Sequence, residues 1–159
     1  MRIRHAVATV TLAATAALTM STAASAAPAP RLACRVSDQG LPGNIYNNGV
    51  YVGQVEQQYD SCSRTAIAHF QWSGGFQGNG SQVKVYLMAS NGYAGQATIG
   101  DQSSKDVYGY VNIHATSPDI WTAIASLDQI CPAYSTQHDY SNGASLAGPQ
   151  DSNCSIPNP

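Results

Sequence analysis

The sequence predicts a mainly β protein: a single small antiparallel sandwich or barrel-like domain of about six strands, with one short helix near 119–130 as an open alternative. Three observations point there. Apolar residues recur at every second position in the stretches 50–72, 82–89 and 107–114, the period of a half-buried strand. The pairs Asn48-Gly49 and Asn91-Gly92 stand at the ends of such stretches, where tight turns need residues that tolerate positive φ. Helical spacing is found only where Ser117, Pro118 and Asp119 form a helix start and Ile120, Ile124, Leu127 and Cys131 fall on one face.

The chain opens with Met1-Arg2-Ile3-Arg4-His5, an apolar run from Ala6 to Met20 and Ala24-Ser25-Ala26. A charged head, a short apolar segment and an A-x-A site make a secretory signal peptide over 1–26. Cleavage after Ala26 leaves 133 residues, enough for one modest core and no membrane span. The mature chain is expected to be secreted and monomeric, with a flexible leader at 27–33. Without Arg2 and Arg4 it carries five basic residues against nine acidic ones, a net charge of −4. Such a surface excludes a nucleic-acid partner, which requires clustered lysine and arginine.

Asn44-Ile45-Tyr46 is at best a short strand. Val50 to Tyr59 then alternates, with Tyr51, Val55 and Tyr59 on one face and Glu56 and Gln58 on the other. After a turn at Asp60-Ser61-Cys62-Ser63, the row Ala66, Ala68, Phe70, Trp72 is apolar and Thr65, Ile67, His69, Gln71 lie opposite, which completes a hairpin. The glycines at 74, 75, 78 and 80 mark a loop. Val83, Val85 and Leu87 form the next row, Asn91-Gly92 turns it back, and Tyr93 to Ile99 returns with Gly95 as a bulge candidate. Val107, Gly109, Val111 and Ile113 face one way in the following strand, and Tyr108, Tyr110, Asn112 and His114 face the other. The stretch after Asp119 reads as the helix or as a buried strand from Trp121 to Leu127. From Pro132 the chain is rich in serine, glycine, asparagine and proline, and a tail of that length (132–159) is expected to be tethered by a disulfide or mobile.

Four cysteines follow the signal: Cys34, Cys62, Cys131 and Cys154. An even count in an exported chain argues for two disulfides, and no short Cys-x2-Cys spacing or nearby histidine suggests zinc. Three pairings are open. Cys34 with Cys62 and Cys131 with Cys154 is favoured, because each bridge would tie a weakly structured terminal segment to an adjacent element.

At Val52-Gly53-Gln54-Val55-Glu56, followed by Tyr59, Cys62, Arg64, Thr65 and Ala68, the chain resembles the YjfA-like family of small exported bacterial proteins, which show a similar strand, turn cysteine and second strand. The stretch Tyr110 to Ala115 is loosely similar to the family's downstream strands. A tryptophan and a basic residue that the family tends to place after the cysteine stand here as Ile67 and His69. The resemblance implies an exported β domain and carries no activity.

No catalytic residue, metal ligand set or cofactor is assigned. Gly143-Ala144-Ser145-Leu146-Ala147 approaches a nucleophile elbow, but Gly148-Pro149 follows where a helix is needed and no histidine comes later. His138-Asp139 lacks the cysteine-bearing helix that phospholipase chemistry requires. Two function classes stay open. One is a binding or envelope-associated module, with Tyr108, Tyr110, Asn112 and His114 as a solvent-facing row for extracellular carbohydrate or peptide. The other is a small secreted hydrolase in which His69 or His114 pairs with Asp60 or Asp106.

Overall fold

A computed structural model describes residues 34–76, 80–113 and 119–157. The expected signal peptide and leader, and His114, lie outside the described residues. The described chain is all β. Its strands are β1 (Val36–Asp38), β2 (Gly43–Asn47), β3 (Val50–Asp60), β4 (Thr65–Trp72), β5 (Gln82–Ala89), β6 (Thr98–Asp101), β7 (Asp106–Asn112), β8 (Ile120–Leu127), β9 (Cys131–Tyr134), β10 (Gln137–Asp139), β11 (Ala144–Ala147) and β12 (Ser152–Cys154). They form two six-stranded sheets. The first has the order β12-β2-β3-β4-β7 with β1 also on β3, and the second the order β11-β10-β8-β5-β6 with β9 also on β8.

Twelve strands replace the expected six or so, for a physical reason. β1 and β2 lie end to end on one edge of the eleven-residue β3, Val36 opposite Asp60 and Gly43 opposite Val55. β9 and β10 share one edge of β8 in the same way. These segments are too short for their own periodicity to mark them clearly, and a long neighbour templates them; β2 and β9 still alternate, sending Ile45, Cys131 and Ala133 into the core.

The helix alternative near 119–130 fails, and the segment is β8. All of 121–127 is buried, so polar-apolar alternation is absent and the apolar positions happen to match a helical stripe. A central strand covered on both faces reads this way. The turn that ends it adds no glycine, since Asp128 and Gln129 themselves hold φ of 47° and 62°.

The tail from Pro132, expected to be tethered by a disulfide or mobile, is tethered by one and is further organised as strands β9 to β12. β12 runs parallel to β2, with Ser152 opposite Ile45. The buried Asn47 fixes it further: its side-chain amide donates to Ile156 O at 3.1 Å, and its side-chain oxygen accepts from Ile156 N at 2.8 Å. The disulfides are Cys34–Cys62 and Cys131–Cys154, with no free cysteine. The first joins the start of the described chain to the β3–β4 turn, and the second joins β9 to β12. Two such bridges place the fold in an oxidising compartment.

The core lies between the sheets. Phe70, Trp72, Val107, Val111 and Ile113 come from one side and Val83, Val85, Leu87, Trp121 and Leu127 from the other or its connections. The phase of β4, β5 and β7 follows their alternation, whereas β3 carries a correction. Its pairing with β2 shifts register between Ile45 and Tyr46, and the extra residue, Val52, turns inward while Tyr51 joins Gln54 on the outer face. A bulge inverts the parity of a strand from that point on. One polar side chain crosses the core. Gln57, 2 % exposed, accepts from Ala123 N at 2.9 Å and donates to the Tyr140 hydroxyl at 2.9 Å.

Candidate functional site

The outer face of the first sheet is assembled by register. β3, β4 and β7 lie side by side, which sets Glu56, His69 and Tyr108 in one cross-strand row and Gln54, Gln71 and Asp106 in the next. Gln58, Ile67 and Tyr110 form a third row, and Asn112 lies opposite Thr65 beyond it. The backs of these strands are apolar and buried, so the pleat obliges these residues to face out. β7 is pressed hard onto the second sheet behind the tyrosines. A Cβ at Gly109 would lie 2.8 Å from Val85 O and 3.0 Å from Tyr86 Cα, so only glycine lets the strand sit this close.

His69 is the hub. Its Nε2 is hydrogen-bonded to Asp106 at 2.9 Å, and Gln71 donates to the same carboxylate oxygen at 3.1 Å. Its Nδ1 is closed to solvent and lies 3.4 Å from a Glu56 carboxylate oxygen, a close polar contact without hydrogen-bond geometry. Glu56 in turn accepts from Gln54, whose side-chain oxygen accepts from the Tyr51 hydroxyl. The hydrogen bond from His69, then that from Gln71, holds the Asp106 carboxyl below its ordinary range. Burial against its neighbours, then the Asp106 charge, pushes the Tyr108 phenol up. At neutral pH the face therefore presents an ionised Asp106 beside a protonated Tyr108.

The rings stack on this hub. Tyr108 lies on His69 with centroids 4.7 Å apart and planes 9° from parallel, and Tyr110 continues the stack at 6.2 Å and 18°. Tyr108 is 37 % exposed and Tyr110 50 % exposed. The result is a shelf of aromatic surface whose inner ring is pinned by carboxylates and whose outer rings meet solvent.

Tyr108, Tyr110 and Asn112 from the expected row are thus on one face, and His114 lies outside the described residues. Of the two aspartates considered for His69, Asp106 is the partner. Asp60 instead caps the β3–β4 turn, accepting from Cys62 N at 2.9 Å and from the Ser63 hydroxyl at 2.7 Å. Glu56 and Gln71 were not anticipated as members of the site. The signal for Glu56 was available: it stands four residues before Asp60 as His69 stands four after Thr65, so counting outward from the turn pairs them.

The other motifs do not assemble chemistry. Asp139 is turned into its own hairpin, accepting from Ser141 N at 2.8 Å and from the Ser141 hydroxyl at 2.6 Å. His138 is buried, edge-on to Tyr140, and Ser145 lies on the exposed arm of that hairpin. Among the described residues no cluster of histidine, cysteine, aspartate or glutamate could hold a metal ion.

Fold and face together define a small all-β protein with two disulfides and an aromatic surface on one sheet. No family model, curated protein or solved structure matches the chain.

Proposed function

We propose that the protein is a secreted, non-enzymatic module that binds extracellular carbohydrate on the outer face of its first sheet. The observation that carries this is the stack of Tyr110 on Tyr108 on His69, with His69 held from beneath by Asp106 and Glu56. Sugar rings present flat C–H faces that pack on aromatic rings, and their hydroxyls hydrogen-bond to amides and carboxylates such as Gln71, Asn112 and Asp106. Tyrosines already fixed by stacking lose little entropy on binding. The row of rings is complete within one chain, so binding on this face requires no second copy. Its export signal, its bridges and its likeness to the YjfA-like family of exported β proteins support the same setting.

A hydrolase built on His69 is disfavoured by the geometry there. One ring nitrogen is bonded to Asp106 and the other is closed to solvent, so neither is presented to a substrate. Cell-wall polysaccharides and peptides titrated against the wild type and the Tyr108→Ala/Tyr110→Ala double variant test the proposal. The wild type is expected to bind polysaccharide, and the folded double variant to bind it at least about tenfold more weakly. Unchanged affinity in that variant, or binding of peptides alone, would overturn the reading.

A further inference from the structure

Charge on the outer face of the first sheet is one-sided. The strands that build it, β2, β3, β4 and β7, contain no lysine or arginine and carry Glu56, Asp60 and Asp106. Among the basic residues from Cys34 onward, Lys84 is on the second sheet, Arg35 precedes β1, Arg64 stands in the β3–β4 turn and Lys105 precedes β7. Asp60 is taken up by that turn, but Asp38 of β1 lies opposite Gln58 and extends the row that ends at Tyr110. Asp38, Glu56 and Asp106 therefore share the face with its tyrosines.

Two of these carboxylates can accept from an incoming donor. The hydrogen bonds of His69 and Gln71 to Asp106 both fall on Oδ1, which leaves Oδ2 without a hydrogen bond from the described residues. Glu56 is arranged alike: Oε1 accepts from Gln54, while Oε2 meets only His69 Nδ1 in a contact that lacks hydrogen-bond geometry. The Asp106 and Glu56 side chains are 33 % and 24 % exposed, and neither oxygen is closed to solvent. A complementary ligand donates hydrogen bonds, carries positive charge and lays a flat apolar surface on the rings. An ammonium meets the first two demands, with three N–H donors, charge-assisted bonds to carboxylate and attraction to tyrosine faces. Asp106 and Tyr108 are two residues apart on β7, roughly 7 Å along the strand, so a sugar whose amine sits at Oδ2 reaches the tyrosines. The face is also wide. From β7 to β2 it spans three strand spacings, roughly 14 Å, and its far flank carries a second aromatic pair, Tyr46 and Tyr51, with centroids 5.6 Å apart. Rings at both flanks suit a chain of sugars rather than a single one.

Building on carbohydrate binding at this face, we propose that its ligand is a polymer of amino sugars bearing free amines, selected by Asp106 and Glu56. The amines bond to the carboxylate oxygens that the protein leaves unbonded, and the sugar rings pack on the tyrosines. N-acetylation removes the charge that the carboxylates recognise, and a uronic acid sets like charge against them.

Tetramers of glucosamine, N-acetylglucosamine and galacturonate, and tetralysine, are titrated calorimetrically into the disulfide-bonded protein at slightly acidic pH and low salt, where the amines are charged. The glucosamine tetramer is expected to bind at least about tenfold more tightly than its N-acetylated counterpart and than tetralysine, which lacks ring faces, and to weaken as salt is added; galacturonate is expected not to bind. Asp106→Asn and Glu56→Gln, with urea midpoints to confirm the fold, are each expected to cut the preference for glucosamine over N-acetylglucosamine by at least about threefold. Equal binding of those two tetramers by the wild type, or an undiminished preference in both variants, would overturn the amino-sugar assignment and leave carbohydrate binding at the face in place. Tetralysine binding as tightly as the glucosamine tetramer would overturn it in favour of a basic peptide. Failure of every sugar tetramer to bind would overturn carbohydrate binding at this face and the amino-sugar assignment with it.

Discussion

Replacing Gln57 by leucine tests how the two sheets are held in register. Gln57 is the polar residue of β3 that reaches through the core, and its side chain serves three groups: Ala123 N, the Ser135 hydroxyl at 3.3 Å and the Tyr140 hydroxyl. Leucine fills nearly the same volume, so no large cavity term enters. Ala123 N keeps a second acceptor in Ser135 Oγ at 3.0 Å, and that hydroxyl keeps Thr136 O. The Tyr140 hydroxyl has no such alternative. One buried polar group is left unsatisfied, at a cost of about 1–3 kcal/mol, partly offset by the apolar gain of the leucine. A net loss of about 1–2 kcal/mol would move a urea midpoint by roughly 1 M. Tyr140→Phe removes the stranded hydroxyl, so the double variant is expected to be more stable than the sum of the single changes by at least about 1 kcal/mol. Reversible urea unfolding of the four proteins measures this. A neutral Gln57→Leu, or a cycle additive within about 0.5 kcal/mol, would refute the reasoning.

Three further expectations rest on other contacts. Gly43→Ala would set a Cβ 2.2 Å from the carbonyl oxygen of Tyr134, where β2 crosses β9; backbone cannot yield as a side chain does, and a loss of about 3 kcal/mol is expected in the same unfolding assay. Cys131→Ser with Cys154→Ser opens the tether on β12 and is expected to cost about 3 kcal/mol, with hydrogen exchange accelerated first over 152–157. Acid should destabilise the fold in two windows. Asp60, Asp101, Asp106 and Asp139 are each held below the ordinary carboxylate value of 3.8, led by hydrogen bonds from Ser63, Ser103, His69 and Ser141 respectively. Their folded values are depressed, so their contribution is complete above the unfolded value and is lost as pH falls through the folded ones. Burial likewise pushes His138 below 6.5, against the opposing charge of Asp139; the unfolded chain takes up that proton first, and stability declines as pH falls through 6.5 towards the lower folded value. Urea midpoints followed across both windows are expected to show a shallower slope near pH 6 in His138→Gln and below pH 4 in Asp106→Asn, and slopes equal to the wild type would contradict these assignments.

The strands legible in the sequence are those with one wet face. β4, β5 and β7 each carry a buried apolar row backed by polar or aromatic residues, and the pattern gives their phase correctly. β8 is illegible by the same logic, because Thr122, Ile124 and Ser126 are buried along with Trp121 and Ala123. β3 misleads locally, because the bulge at Val52 is a property of its pairing with β2 and leaves no mark in its own residues. β12 could not be found from 152–154 at all, since its parallel partner lies more than a hundred residues earlier. The functional face follows the same division. Tyr108 and Tyr110 could be placed because alternation within one strand puts them outside. The clamp on His69 depends on the alignment of three strands, which becomes readable only once the turn at Asp60 to Arg64 fixes the hairpin.

The outer face of the first sheet faces a rival across the molecule. The second sheet also presents tyrosines outward, Tyr86 and Tyr134 flanking Ile124, with Lys84 over the Tyr86 ring at 5.5 Å. Mapping backbone amide shifts while a soluble oligosaccharide is titrated into the labelled protein separates the two directly. Saturable shifts concentrated on 67–71 and 106–112, with 84–88 and 132–134 unmoved, are the expected result. Shifts confined to 84–88 and 132–134, or no saturable shift with any cell-wall oligosaccharide, would contradict the assignment of binding to the tyrosine and histidine face.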